Sequence, residues 1–146
     1  MYLFVDVTED NSFTLKLLDQ EGIEVQSMTK KTTNHISDEL LGGIDELLEN
    51  TPEIATALGV PRNDKLKTLK GIIAVEGPGR FSTMRTTFTT LNTICWHLKI
   101  PLITQGKNKP LSFSASGRIR MTNGYNLALP VYGAPPTITL PKPQKR

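Results

Sequence analysis

The sequence predicts an α/β fold built on one mixed sheet, and three observations predict it. The first 28 residues carry three short strand patterns separated by tight turns. A continuous apolar stretch, KGIIAVEG (70–77), then passes through glycines into a long helical pattern, and that pattern runs into the strand-like PLIT (101–104). Strand, helix and strand in that order make a parallel crossover, whereas closely spaced opening strands make an antiparallel meander. A chain of 146 residues is long enough for one domain with a real core.

Each element has its local reason. Residues 2–7, 12–18 and 23–28 read as strands; Phe13, Leu15 and Leu17 alternate with polar neighbours, as a half-buried strand requires. DQEG (19–22) ends in Gly22 and suits a tight turn. Ser37 can cap a helix starting at Asp38, where Asp38 and Glu39 favour the positive end of the helix dipole. Leu40, Leu41, Ile44, Leu47 and Leu48 give that helix one apolar stripe. Gly42 and Gly43 sit inside it, where each costs about 1 kcal/mol relative to alanine, so close approach of a neighbour is the expected gain.

Residues 51–70 are expected to hold a short second helical stretch and a basic connector. A long helix is predicted from about Ser82 to Leu98, with Met84, Phe88, Leu91, Cys95 and Leu98 as its core stripe and Pro101 as its stop. Beyond residue 105 the periodicity decays into an irregular, proline-rich, basic segment. The resulting order, βββαβα(β), is that of ribonuclease H-like folds. Residues 1–105 form the lobe and 106–146 a short extended C-terminal segment.

Composition narrows the function classes. Cys95 is the sole cysteine, so neither a disulfide framework nor a cysteine-rich zinc site can form, and a cytoplasmic setting is expected. No apolar run reaches the roughly 20 residues a bilayer span needs, and MYLFVDVTED lacks the basic start of a signal peptide. The net charge of +3 hides a division: residues 1–50 carry eleven acids and three bases, while residues 65–146 carry thirteen bases and Glu76 alone. Such a chain either neutralises itself within the fold or is steered onto a charged partner.

The chemistry-bearing candidates are few. GPGRF (77–81) joins a strand to a helix, the usual setting for an anion at a helix start, but it is neither a Walker loop nor GxGxxG. It equally reads as a tight turn in which Pro78 sets φ and Gly79 takes a positive φ. The following helix is rich in mediocre helix formers: Thr83, Thr86, Thr87, Thr89, Thr90 and Thr93. Thr83, Thr86 or Thr87, Thr90 and Thr93 trace a small-residue ridge that another helix can approach closely, as can Gly42 and Gly43. This predicts a helix-on-helix contact surface, unless the two helices spend those faces on each other and on the sheet.

His35 and His97 lie far apart with no His-x-x-x-His pair, so no metal site is expected. Asp6 ends the first strand where ribonuclease H-like enzymes place a leading acid, yet the basic half offers only Glu76 to join it, and such an Asp is commonly a turn former. Ser82, Ser112 and Cys95 have no identifiable base.

These residues carry a resemblance. GPGRFSTMR (77–85) is similar to the GPGSFTGLR signature of the TsaB family of threonylcarbamoyladenosine-biosynthesis proteins. NHISDELLGGIDELL (34–48) resembles that family's first helix, YLFVDVTED (2–10) its opening strand, and LPVYGAPPTITLPKP (129–143) its closing proline-tyrosine segment. Arg80 stands where the family has serine, and Thr83 where it has glycine.

The resemblance implies an actin-like ATPase lobe with the second lobe largely missing, and Gly77, Pro78, Gly79, Phe81 and Arg85 as the family-motif turn. It implies a non-catalytic partner of TsaD, the subunit that transfers threonylcarbamoyl to adenosine 37 of tRNAs, together with other components of that synthesis. The family pairs through its first two long helices, here 38–49 and 82–98. The interface expected from ridge and resemblance together is Leu40, Leu41, Gly42, Gly43, Asp45, Thr83, Thr86, Thr87, Thr90 and Thr93. A homodimer is expected when the chain is alone, tRNA contact through the basic C-terminal half, no membrane, and no cofactor beyond ATP at an interface within a complex. The competing expectation is a minimal ribonuclease H-like or glycoprotease-like enzyme holding metal or ATP around Asp6 and the glycine turn.

Overall fold

The computed structural model describes residues 1–32, 36–51, 62–108 and 128–132. Its five-stranded sheet runs in the order β3-β2-β1-β4-β5. The strands are β1 (Tyr2–Asp6), β2 (Ser12–Leu18), β3 (Glu24–Lys31), β4 (Gly71–Val75) and β5 (Leu102–Gln105). β1 to β3 form the antiparallel meander, with Val5 opposite Leu15 and Leu15 opposite Met28. β4 lies parallel to β1 and β5 parallel to β4, as the crossover pattern predicts. This is the mixed sheet of a ribonuclease H-like α/β fold.

Local chemistry accounts for the joins. Asp19 Oδ1 accepts hydrogen bonds from the amides of Glu21 and Ile23, at 2.9 and 2.8 Å, and Gly22 takes a φ of 83°, which closes the β2–β3 turn. The alternation in β1 and β2 buries Leu3, Val5, Phe13, Leu15 and Leu17. β4, a run without alternation, is buried at every position.

Among the described residues, two α-helices close the core. α1 (Ile36–Glu49) begins two residues ahead of the sequence reading, so Ser37 lies inside its first turn rather than capping it. It contributes Ile36, Leu40, Ile44, Leu47 and Leu48 to the core. A 3-10 helix spans Arg62–Thr68; the helical stretch expected before it falls outside the described residues.

α2 (Phe81–Leu98) buries Met84, Phe88, Leu91 and Cys95. It ends at Lys99, in the left-handed conformation with its amide bonded to the Cys95 carbonyl, ahead of the Pro101 stop that the sequence suggested. Fully burying each of these large side chains contributes about 1.5–3 kcal/mol, so the helices are held by their apolar faces rather than by intrinsic propensity. α1 and α2 touch one another as well as the sheet. No helix among the described residues is long and apolar enough to cross a membrane.

The charge division is only partly resolved within the fold. Lys65–Glu49 (3.9 Å) and Lys107–Glu9 (3.0 Å) join the basic half to the acidic half. Lys16–Glu24 and Lys30–Glu46 lie within the acidic half. Arg80 and Arg85 form no ion pair among the described residues.

Candidate functional site

The glycine turn leaves β4 and enters α2, and its glycines are set by space and by backbone angle. Gly77 adopts a φ of 122°, and a Cβ there would lie 2.1 Å from the Val131 carbonyl oxygen. The sequence reading gave the positive φ to Gly79; the structure gives it to Gly77. Gly79 is needed for room, since a Cβ on it would stand 2.8 Å from Met84 Sδ and 3.2 Å from Thr8 Cα. Pro78 is exposed between them, joined to Gly77 by a cis peptide. Arg80 occupies the N-cap in extended conformation without a side-chain cap, and its carbonyl accepts from the Met84 amide at 2.9 Å.

The chain's own residues 128–132 lie across this turn. The Val131 amide donates to the Glu76 carbonyl, Gly79 and Tyr132 form a parallel bridge, and the Phe81 and Tyr132 rings meet with centroids 4.4 Å apart. Asn92, midway along α2, fixes the segment: its Nδ2 donates to the Ala128 carbonyl at 2.9 Å, and its Oδ1 accepts from the Ala128 amide at 3.1 Å. One side chain thus imitates the two hydrogen bonds of a neighbouring strand. The Val131 carbonyl thus packs directly on the backbone of Gly77.

The ten residues expected as an interface divide between the two sides of the helix pair. Leu40, Gly43, Thr83 and Thr87 are buried within the molecule. They belong to its interior rather than to a contact face, which corrects that part of the expectation. Gly43 shows why: a Cβ there would lie 3.1 Å from both Leu15 Cδ1 and Phe13 Cε2, so α1 needs this glycine to sit down on β2.

Gly42 is the opposite case. Among the described residues, no atom beyond its chain neighbours and its own helix backbone lies within 4 Å of where its Cβ would be, leaving a notch in the outer surface of α1. Beside it Leu41 is 45 % exposed and Asp45 half-buried. On α2, Thr86 and Thr90 are half-buried and Thr93 is exposed.

The hydroxyls of Thr89 and Thr93 donate back to the carbonyls of Arg85 and Thr89, each at 2.9 Å. Bonded inward in this way, the outer threonines present methyl groups as much as polar ones. Thr87 Oγ1, by contrast, is buried with no hydrogen-bond partner among the described residues.

The candidates for chemistry of the chain's own are placed as follows. Asp6 Oδ1 accepts from the Thr8 amide at 2.9 Å and the Thr8 hydroxyl at 2.8 Å, a side-chain turn that closes the end of β1. Cys95 is buried, and burial pushes its thiol up to about 12. His97 is exposed in the last turn of α2, and Ser82 is exposed in its first. His35 and Ser112 lie outside the described residues. Among the described residues, no three His, Cys, Asp or Glu side chains gather into a metal-holding group.

Sequence reasoning missed two features, the Asn92 clamp and the Phe81–Tyr132 contact. Their one visible signal was the proline-tyrosine segment, whose docking place no local pattern specifies.

Comparison with known proteins agrees with this architecture. No protein-family model matches the sequence, and no curated protein matches it. Among solved structures, the chain is similar to YeaZ from Pseudomonas aeruginosa, with a TM-score of 0.55 and 22 % identity over 72 % of this chain and 43 % of that one. It is also similar to an uncharacterized protein described as similar to peptidase YEAZ from Pseudomonas aeruginosa, with a TM-score of 0.56 and 22 % identity over 72 % of this chain and 42 % of that one. The chain therefore has the fold of these proteins, and spans less than half their length.

Proposed function

We propose that this chain, which carries the fold of YeaZ (TsaB), is a non-catalytic partner subunit in tRNA threonylcarbamoyladenosine modification. It pairs through its α1–α2 face with a TsaD-like protein, alongside other components of that synthesis, in the cytoplasm. In the absence of that partner, the same face takes a second copy. The observation that carries this reading is the notch at Gly42, a helix-interior glycine with open space where its side chain would be. Gly42 costs α1 about 1 kcal/mol, and none of the described residues packs on it to offset that cost.

Leu41, exposed next to Gly42, and the half-buried Thr86 and Thr90 of α2 add low, weakly polar surface on which another helix can lie closely. The GPGRFSTMR motif supports it too, since Gly77 and Gly79 are set by internal packing against Val131, Met84 and Thr8. Asp6 is spent on a turn and Cys95 is held protonated, which fits a supporting rather than a catalytic role. Any ATP used by such a complex belongs to a site completed by the partner. The basic C-terminal half supplies charge toward tRNA.

The test is size-exclusion chromatography of the chain with and without a TsaD homologue at micromolar concentration. The expected result is a shared peak that Thr90→Phe abolishes while leaving the melting temperature of the isolated chain within a few degrees. A TsaD homologue that ignores the chain, or a Thr90→Phe variant that pairs normally, removes the reading.

A further inference from the structure

Phe81 and Tyr132 offer a second exposed surface, built on residues outside those assigned to the helix-pair face. Phe81 is 44 % exposed and Tyr132 38 % exposed; their rings meet at 4.4 Å with planes inclined at 38°, leaving ring surface open to solvent. Arg80 directly precedes Phe81, and Arg85 follows it by four residues on the same side of α2. Both arginines are exposed, and neither forms an ion pair among the described residues. From Gly77 to Arg146 the sequence contains no Asp or Glu. Of the acids in adjoining segments, Glu9 is taken by Lys107 at 3.0 Å, Asp6 accepts from Thr8, Glu76 is half-buried ahead of the turn, and Asp10 is exposed between β1 and β2.

Exposed rings with one arginine just before Phe81 and another a helical turn after it suit a polyanion that also carries flat, stackable groups. We propose that Arg80, Phe81, Arg85 and Tyr132 form a docking point for single-stranded RNA. One unpaired base stacks on the ring pair, and the phosphates on either side of it meet the two arginines. An acidic protein segment would satisfy the arginines but has no use for the rings, so the charge and the aromatic surface together favour RNA. Tertiary structure assembles the patch, because Asn92 holds the segment that brings Tyr132 to Phe81. The inference deepens the RNA part of the proposed function, but it stands on residues separate from Leu41, Gly42, Thr86 and Thr90.

The experiment titrates a fluorescent single-stranded RNA of about 12 nucleotides with the full chain at several salt concentrations, using polarisation as the readout. Phe81→Ala with Tyr132→Ala is expected to weaken binding about tenfold or more by removing a stacking platform. Arg80→Ser with Arg85→Ser is expected to reduce the slope of log K against log salt by about 1.4, two phosphate contacts at about 0.7 each.

Circular dichroism checks the fold of each variant. Tyr132→Leu, which keeps apolar contact with Phe81 but removes a ring face, serves where the double alanine variant fails to fold. The proposal is overturned by absence of wild-type binding at low salt, by aromatic variants that bind like wild type, or by poly-glutamate competing as well as RNA. The last outcome assigns the patch to an acidic protein. Pairing with the TsaD homologue, measured on the same variants, is expected to be unchanged, so loss of RNA binding and loss of pairing are read separately.

Discussion

Gly42 and Gly43 are adjacent in one helix, and replacing each by alanine should have opposite consequences. Gly42→Ala adds a methyl group where none of the described residues beyond its own stretch of helix comes within 4 Å, and removes a glycine from a helix interior. The expected stabilisation is about 1 kcal/mol. With a urea m-value of about 1–3 kcal/mol/M, the midpoint should rise by roughly 0.3–1 M. Gly43→Ala gains the same helix propensity but places its methyl 3.1 Å from Leu15 Cδ1 and Phe13 Cε2. Overpacking of this kind costs about 1–3 kcal/mol, so Gly43→Ala should be neutral to destabilising.

The functional readout then runs against stability. If a partner helix lies over the notch, Gly42→Ala overpacks that contact by a similar 1–3 kcal/mol and weakens pairing roughly five- to 150-fold, although the monomer is more stable. Urea denaturation followed by circular dichroism measures the first effect, and titration of the TsaD homologue measures the second. Equal shifts for the two glycines would refute the assignment of Gly42 outward and Gly43 inward. A stabilised Gly42→Ala protein that pairs normally would refute the use of the notch as a contact.

Four further outcomes are expected. Thr87→Val removes a buried hydroxyl that has no partner among the described residues while keeping its shape, so stability should rise by about 1 kcal/mol; a loss in urea denaturation would mean that the hydroxyl is satisfied. Asn92→Ala should free residues 128–132 without unfolding the lobe, and chymotrypsin should cut at Leu129 or Tyr132 at least about fivefold faster for roughly 1 kcal/mol of lost hydrogen bonding.

Cys95 should resist thiol reagents at pH 8 until denaturant is added. Because its folded-state thiol is raised to about 12 from 9.0, its contribution is fully present below about pH 9 and is lost as pH rises from there toward 12, which Cys95→Ser should not show. Asp6→Asn should leave stability within about 1 kcal/mol, since an amide oxygen can accept both Thr8 hydrogen bonds, and should leave support of the TsaD homologue intact; loss of that support in a folded variant would point to a charge-dependent role.

Much of the fold was legible because it is written in local periodicity. Alternation in Ser12–Leu18, the unbroken apolar run of Gly71–Val75 and the heptad-like spacing of Leu40, Ile44, Leu47 and Leu48 each reveal a buried face without reference to the rest of the chain. The two helices rich in small residues, on which the proposed face is built, were legible in outline. The division of that face was not, because Gly42 and Gly43 are chemically identical and a rotation of one residue decides which meets Leu15 and which meets solvent. The same holds for Thr83 and Thr87, buried, against Thr86 and Thr90, half-exposed.

The sequence by itself determined the element order, the charge division and the core stripes apart from Leu41, which is exposed, and Leu98, which is half-buried, since each follows from residue type and spacing along the chain. Only the tertiary structure decided that Val131 lies on Gly77, that Tyr132 meets Phe81 and that Asn92 holds Ala128. These are contacts between distant segments, and their partners are chosen by shape and by hydrogen-bonding groups presented across space. No periodicity records that choice.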